Sequence, residues 1–254
     1  MTFHPRKGLL AALLIGMSTA LPLPAAALDD SQKKEFGAFI HEYLLANPEI
    51  IEEMSQALEI KKEAESRVMA QAAISSNEDA IFRAPEDIVL GNPDGDVTVV
   101  EFYDYNCSFC KRAMNDMVGL LEKDPNVRFV LKEFPILGPD SLAAHRVAMS
   151  FRKLAPEHYR DFHVALLGGD VRATEAHAIE VATGFGVDAA ALKAGMDDPA
   201  IDQSIKQTYE LANALGISGT PSFIIGDEAV FGAVGEETLQ AKITNMRQCE
   251  STVC

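Results

Sequence analysis

Basic residues are scarce: 22 Lys+Arg stand against 38 Asp+Glu, a formal charge of −16. A chain this acidic repels phosphate backbones, and no basic stripe offsets the balance, so nucleic-acid binding is a poor reading. The charge favours solubility and soluble partners without bearing on fold. Cysteine is scarce too. There are four, in the two local pairs Cys107/Cys110 and Cys249/Cys254. Neither spacing suits the long-range staples of a small disulfide-rich domain, and a chain this long buries a core without them. Internal repeats and low-complexity tracts are absent. His41, His145, His158, His163 and His177 show no i, i+4 pair, so surface or core roles are the default; none is assigned as a metal ligand, and no cofactor is expected.

The N-terminus carries the only long apolar run. His4, Arg6 and Lys7 form a short basic segment, the stretch from Leu9 to Leu21 is apolar, and Ala25-Ala26-Ala27 offers small residues for cleavage. Residues 1–27 therefore read as a secretory signal peptide cleaved after Ala27. The alternative is an uncleaved anchor, but Gly16, Ser18 and Thr19 interrupt the run and Pro22 and Pro24 end it, short of a comfortable bilayer span. The mature chain is expected outside the cytoplasm, in the periplasm, where thiols tend to pair.

The remainder divides in two. Residues 28–84 read as a helical leader: Phe36, Phe39, Ile40, Tyr43 and Leu44 recur at helical spacing, Asn47-Pro48 restarts the helix, and Ile51, Met54 and Leu58 continue the stripe. This face has no partner of its own, so homo-oligomerisation through residues 28–82 is expected, with folding back on the rest of the chain as the alternative. Ser75 to Asp79 and then Pro85 mark polar breaks. From Val97 to Tyr103 the pattern switches to a β-branched run suited to a strand buried on both faces. A helix follows whose buried stripe is Cys110, Ala113, Met114, Met117, Val118 and Leu121. A strand at Val127–Phe134, a helical stretch at about 138–215, a hairpin from Ser222 to Phe231 and a last helix from about Glu236 complete residues 85–254. This order is that of an α/β thioredoxin fold with an inserted helical domain, preceded by an N-terminal helical segment.

Cys107 falls at the exposed start of the first helix after the strand, where free backbone N–H groups and the helix dipole lower a thiol pKa from about 8.5 into the range of roughly 3.5 to 7.5. Such a thiolate attacks a substrate disulfide, and Cys110, one turn on, resolves the mixed disulfide. Lys111 and Arg112 either add positive charge or point to solvent. A half zinc site, an inert structural disulfide and a Cu(I)-binding module are the competing readings of the pair. Glu101 sits inside the apolar strand, where burial would raise its pKa and suit it to relay the proton that Cys110 must lose. Lys132 is its candidate partner, and a solvated strand end is the alternative. Thr220-Pro221 reads locally as an ordinary turn. Cys249 and Cys254 could pair locally, join partners or act as an accessory redox pair; a local disulfide is favoured.

The run Val100-Glu101-Phe102-Tyr103-Asp104-Tyr105-Asn106-Cys107-Ser108-Phe109-Cys110, with Gly219-Thr220-Pro221-Ser222-Phe223, resembles the DsbA-like family of secreted thiol:disulfide oxidoreductases. Asn47-Pro48-Glu49-Ile50-Ile51 and Ala57-Leu58-Glu59 are similar to the helical leader of its ScsC-like subgroup, in which leaders can mediate oligomerisation and copper-stress tolerance is an associated role. The resemblance implies a redox-active Cys107/Cys110 pair, a buried acid at Glu101, and a cis Pro221 that leaves the Thr220 backbone as an edge for an extended substrate. It also implies thiol- or disulfide-containing protein substrates and a membrane redox partner. Two departures concern direction, whether oxidase or isomerase/reductase. Ser108-Phe109 stands where the strongly oxidising members carry a His, and Thr220 matches several isomerase-type members.

Overall fold

The computed structural model describes residues 29–254; the signal-peptide reading of residues 1–27 lies outside them. The chain divides into two compact units at Leu58/Glu59.

In the first unit, helix α1 (Asp30–Ala46) begins with a reciprocal cap. Asp29 Oδ1 accepts the Gln32 N–H at 2.9 Å, and Gln32 Oε1 accepts the Asp29 N–H at 3.1 Å. Asn47 ends it, donating its side-chain amide to the Tyr43 carbonyl. Helix α2 (Ile50–Ser76) starts two residues after Pro48 rather than at it. Phe36, Phe39, Ile40, Tyr43, Leu44, Ile51, Met54 and Leu58 are all exposed.

The second unit holds the rest of α2, α3 (Glu78–Phe82) and a five-stranded sheet: β1 (Ile88–Gly91), β2 (Val97–Tyr103), β3 (Val127–Glu133), β4 (Ser222–Ile225) and β5 (Glu228–Phe231), in the order β1-β3-β2-β4-β5. Only β2 and β3 run parallel. Helix α4 (Ser108–Lys123) connects them. The insertion comprises α5 (Pro139–Leu154), α6 (Tyr159–Gly168), α7 (Glu175–Gly184), α8 (Ala189–Met196) and α9 (Pro199–Ala214), and α10 (Glu236–Cys249) closes the fold.

Strand alternation sorts the core into two layers. Val99, Tyr103, Phe129, Leu131 and Phe223 meet α4 and α10 on one face. Val100, Phe102, Val130 and Ile224 meet Ile74, Ile81, Leu211 and Leu215 on the other. That second layer corrects the expected division at residue 84, because Ile74 at the end of α2 and Ile81 in α3 are core residues of the sheet unit. The polar run Ser75 to Asp79 is thus a tight corner at Asn77, whose side chain donates to the Ala73 carbonyl at 2.8 Å.

Two other sequence expectations shift. Strand β1 was not anticipated: it is three apolar residues and Gly91, paired antiparallel with β3. Gly91 ends it at φ +73°, where an added Cβ would lie 2.7 Å from the Val127 carbonyl. On α4 the buried residues are Cys110, Ala113, Met114, Met117 and Leu120, and Val118 and Leu121 are only half-buried.

At the far end, Cys249 and Cys254 form the local disulfide. The tail it closes is held by Asp227 in the β4–β5 turn, which accepts from Ser251 Oγ at 2.9 Å and from Thr252 N and Oγ1 at 3.1 Å, as well as from Gln71 of α2 at 2.9 Å. No helix among the described residues is long and apolar enough to cross a membrane.

Candidate active site: a dithiol at the start of α4

Strand β2 delivers the chain to a turn organised by one carboxylate. Asp104 Oδ1 accepts the Asn106 N–H at 2.8 Å, Oδ2 accepts the Leu137 N–H at 2.9 Å, and the Asp104 carbonyl accepts the Cys107 N–H at 3.0 Å. Cys107 is the N-cap of α4, in extended conformation, and contributes no side-chain cap. Its thiol donates to the Thr220 carbonyl at 3.2 Å, and the Thr220–Pro221 bond is cis. Cys107 is not the exposed residue expected at a helix start. It is only 8% exposed, opening onto a cavity of about 310 Å³ lined by residues that include Asn106, Lys111, Leu167, Asp170 and Val171. Cys110 is fully buried on the inner face of α4, and both thiols are free.

The two thiols differ sharply in acidity. The Cys107 pKa falls to about 6. A hydrogen bond from the Cys110 thiol contributes most, and the Thr220 side chain and the backbone N–H groups of Cys110 and Phe109 add to it against the desolvation of a partly buried sulfur. Cys110 moves strongly upward, through burial first and through its donation to Cys107 second. The cationic neighbours are turned elsewhere. Lys111 Nζ donates to the Gly169 carbonyl at 2.9 Å and to Asp170 at 2.7 Å, and the Arg112 guanidinium lies 4.9 Å from the centre of the Phe109 ring.

Glu101 lies on the same sheet face as α4 and is 1% exposed, not at a solvated strand end. Burial, and then the Cys107 and Asp116 charges, push its pKa up to about 8. Its Oε1 has no hydrogen-bond partner. Lys132 is not its partner, and the register gives the reason: Glu101 stands opposite Leu131, while Lys132 stands opposite Phe102 and points to the other face. There Lys132 Nζ bonds the Ala80 carbonyl and Asp87.

Sequence reasoning missed what holds this turn from the insertion side. Asn106 makes a reciprocal pair with Ala173, its Oδ1 accepting the Ala173 N–H at 2.9 Å and its Nδ2 donating to the Ala173 carbonyl at 3.0 Å, with a further donation to Ser141 Oγ at 3.0 Å. Tyr103, Tyr105, Glu133, His145, Tyr159 and His163 form a buried polar cluster beside it. None of these carries a spacing signal; only their nearness to the C-x-x-C, for Tyr103, Tyr105 and Asn106, could have drawn notice. Among the described residues no group of three or more His, Cys, Asp or Glu side chains is placed to hold a metal ion.

Comparison with known proteins places this geometry in a family. A profile described as a DSBA-like thioredoxin domain matches residues 98–244, and one described as the copper resistance protein ScsC N-terminal domain matches residues 32–65. A thioredoxin-like oxidoreductase from Silicibacter pomeroyi DSS-3 superposes with a TM-score of 0.65 at 43% identity, covering 68% of this chain and 99% of that one. A linker-deleted mutant of Proteus mirabilis ScsC gives a TM-score of 0.66 at 27% identity, covering 88% of this chain and 99% of that one. Disulfide bond formation protein D of Bacillus subtilis is 26% identical over 155 residues, 56% of this chain and 68% of that protein. The chain also matches the Na(+)/H(+) antiporter NhaA 1 of Salinispora arenicola at 26% identity over 161 residues, 63% of this chain, but spans only 24% of that much longer protein. The chain belongs to the DSBA-like thioredoxin domain family of thiol:disulfide oxidoreductases and carries an ScsC-type N-terminal segment.

Proposed function

We propose that the protein is a periplasmic enzyme, freed of its signal peptide after Ala27, that exchanges disulfides with protein substrates through Cys107 and Cys110. The observation that carries this reading is the free dithiol at the start of α4, with Cys107 at the N-cap against the carbonyl before cis Pro221 and Cys110 buried one turn on; this arrangement lowers the Cys107 pKa and raises that of Cys110. At neutral pH Cys107 is the thiolate and attacks one sulfur of a substrate disulfide; that sulfur bonds to Cys107, and the other leaves as a thiolate. Cys110 then loses its proton and attacks Cys107, forming the Cys107–Cys110 disulfide and releasing the substrate as a dithiol. Run backwards, the same steps oxidise a substrate. In the mixed disulfide Cys107 no longer carries the charge that helps hold the Glu101 proton, and the ionised form of Glu101, on the face that carries Cys110, receives the Cys110 proton. Thr220 and Pro221 offer main-chain pairing to an extended segment, so recognition tolerates sequence. A membrane redox partner resets the pair.

The poise follows from the thiolate. A pKa of about 6 lies between thioredoxin, near 7, and DsbA, near 3.5, so the reduced state is stabilised to an intermediate degree. With Ser108-Phe109 in place of the His of the strongly oxidising members, the potential is expected below the roughly −120 mV of DsbA.

Cys110→Ala should accumulate mixed disulfides with substrate, and Cys107→Ala should accumulate none. Trapping through Cys110 alone would reverse the roles. A glutathione titration at or above −120 mV would make the protein an oxidant. A second reading draws on the copper-resistance description of the profile matched by residues 32–65: Cu(I) held by the same two thiols. It requires stoichiometric Cu(I) on the reduced pair together with slow exchange with disulfide substrates.

A further inference from the structure

The six buried polar side chains between the sheet and helices α5 and α6 take no part in the exchange steps above, yet they end on the backbone that presents Cys107. Tyr105 is two residues before that cysteine, past the end of β2, where no ladder carbonyl is available to its amide. Its neighbours in the turn are satisfied through Asp104, whereas the buried Tyr105 N–H donates to His145 Nε2 at 3.3 Å. A buried amide left without an acceptor keeps its full desolvation penalty.

The acceptor is available in only one form of the ring. For Nε2 to accept, it must be bare, so the imidazole proton sits on Nδ1. That nitrogen faces Glu133 Oε2, which accepts it. The Nε2–H tautomer, or an imidazolium, would set one N–H against another at the Tyr105 amide. The carboxylate is fixed in turn, its Oε1 accepting from Tyr159 OH at 3.2 Å. The Tyr105 hydroxyl is held by Tyr159 at 3.1 Å and by His163 Nδ1 at 3.2 Å. Burial lowers the His163 pKa to about 4, so this neighbour brings no charge at neutral pH.

We propose that His145 is a positioning residue for the redox cysteine: oriented by Glu133, it anchors the Tyr105 amide and thereby fixes the turn that points Cys107 Sγ at the N–H groups opening α4. The acidity of Cys107 depends first on the Cys110 thiol and then on Thr220 and those N–H groups, from chain segments that meet only if the turn is held still. Helix α5 of the insertion thus tunes the nucleophile without touching it. This rests on Cys107 being the attacking thiol.

The test reads Cys107 directly, as the pH profile of iodoacetamide alkylation of the full-length reduced protein, in which Cys110 is buried and unreactive. His145→Gln keeps an acceptor for Tyr105 and a donor for Glu133 and should retain the wild-type midpoint. The double variant Glu133→Leu/His145→Leu avoids stranding a buried charge and should react about three to ten times more slowly below pH 6, a midpoint displaced upward by about half to one pH unit. A folded double variant with the wild-type midpoint would overturn the proposal. Long-range ¹⁵N NMR of the wild type settles the matter if the double variant does not fold: His145 protonated on Nδ1 and coupled through Nε2 to the Tyr105 amide is expected, and the opposite tautomer or an imidazolium overturns it. A wild-type profile with an ordinary thiol midpoint would instead sink the underlying reading of Cys107.

Discussion

A carboxyl group shut between a sheet and a helix, with one oxygen unpartnered, penalises its own ionisation. Glu101 has a folded pKa of about 8 against an ordinary value of 4.5, so the folded chain holds the proton more tightly than the unfolded one. Stability therefore declines as pH rises from 4.5 towards 8, and the full cost is present above 8. Glu101→Gln should flatten the stability curve across that window and raise stability at pH 8 by on the order of a few kcal/mol, measured by urea melts of the reduced protein. The same variant should slow resolution of the mixed disulfide by about a hundredfold, read by quenched-flow trapping. Cys107 runs the other way. Its folded pKa of about 6 lies below the 9.0 of an ordinary thiol, so its contribution to the reduced state is complete above pH 9 and is lost as pH falls through 6. The melting-temperature gap between reduced and oxidised protein should follow that course, and a gap independent of pH would contradict it. The cysteines themselves were legible because spacing and position at a helix start are sequence properties. The side of the sheet taken by Lys132 was not, since parallel register decides it. Nor was the clamp on Tyr105, which joins residues 40 positions apart.

Elements show a similar split. Strands β2 to β5, helices α4 and α10 and the helical character of the leader and the insertion were readable from β-branched runs, helical stripes and breakers, because their periodicity reports burial. Strand β1 has only three apolar residues, Ile88, Val89 and Leu90, before Gly91, too few to show a period, and it exists as a strand because β3 offers it an edge. The unit boundary was misplaced for a related reason. Polar residues from Ser75 to Asp79 look like a linker, while Ile74 and Ile81 on either side are buried against the second face of the sheet. Ile81→Ala should accordingly destabilise the sheet unit by about 2 to 5 kcal/mol. Removing residues 29–58 should leave a single cooperative melt close to that of the parent, whereas removing residues 29–82 should lower its midpoint or abolish it. Equal melts for the two deletions would show that Ile74 and Ile81 contribute nothing.

For the molecule as a whole, the leader presents nine large apolar side chains to water, from Phe36 to Leu58. Burying one is worth roughly 1.5 to 3 kcal/mol, and an exposed patch of this kind marks an association surface. The homo-oligomerisation expected of residues 28–82 would cover that face with a second copy of the chain. Sedimentation should find an oligomer at micromolar concentration that becomes a monomer when residues 29–58 are removed, with exchange of small disulfides retained and repair of scrambled substrates lost. A monomeric full-length protein would remove that argument for isomerisation.

The bond between Cys107 and the Thr220 carbonyl joins positions 113 residues apart. The contact is made only where β4, which follows Pro221 directly, lies antiparallel against β2, which leads into the cysteines. Cover over the nucleophilic sulfur is therefore a property of the closed sheet and not of the helix that bears the thiols: a chain with α4 wound but β4 unpaired would hold the dithiol uncovered.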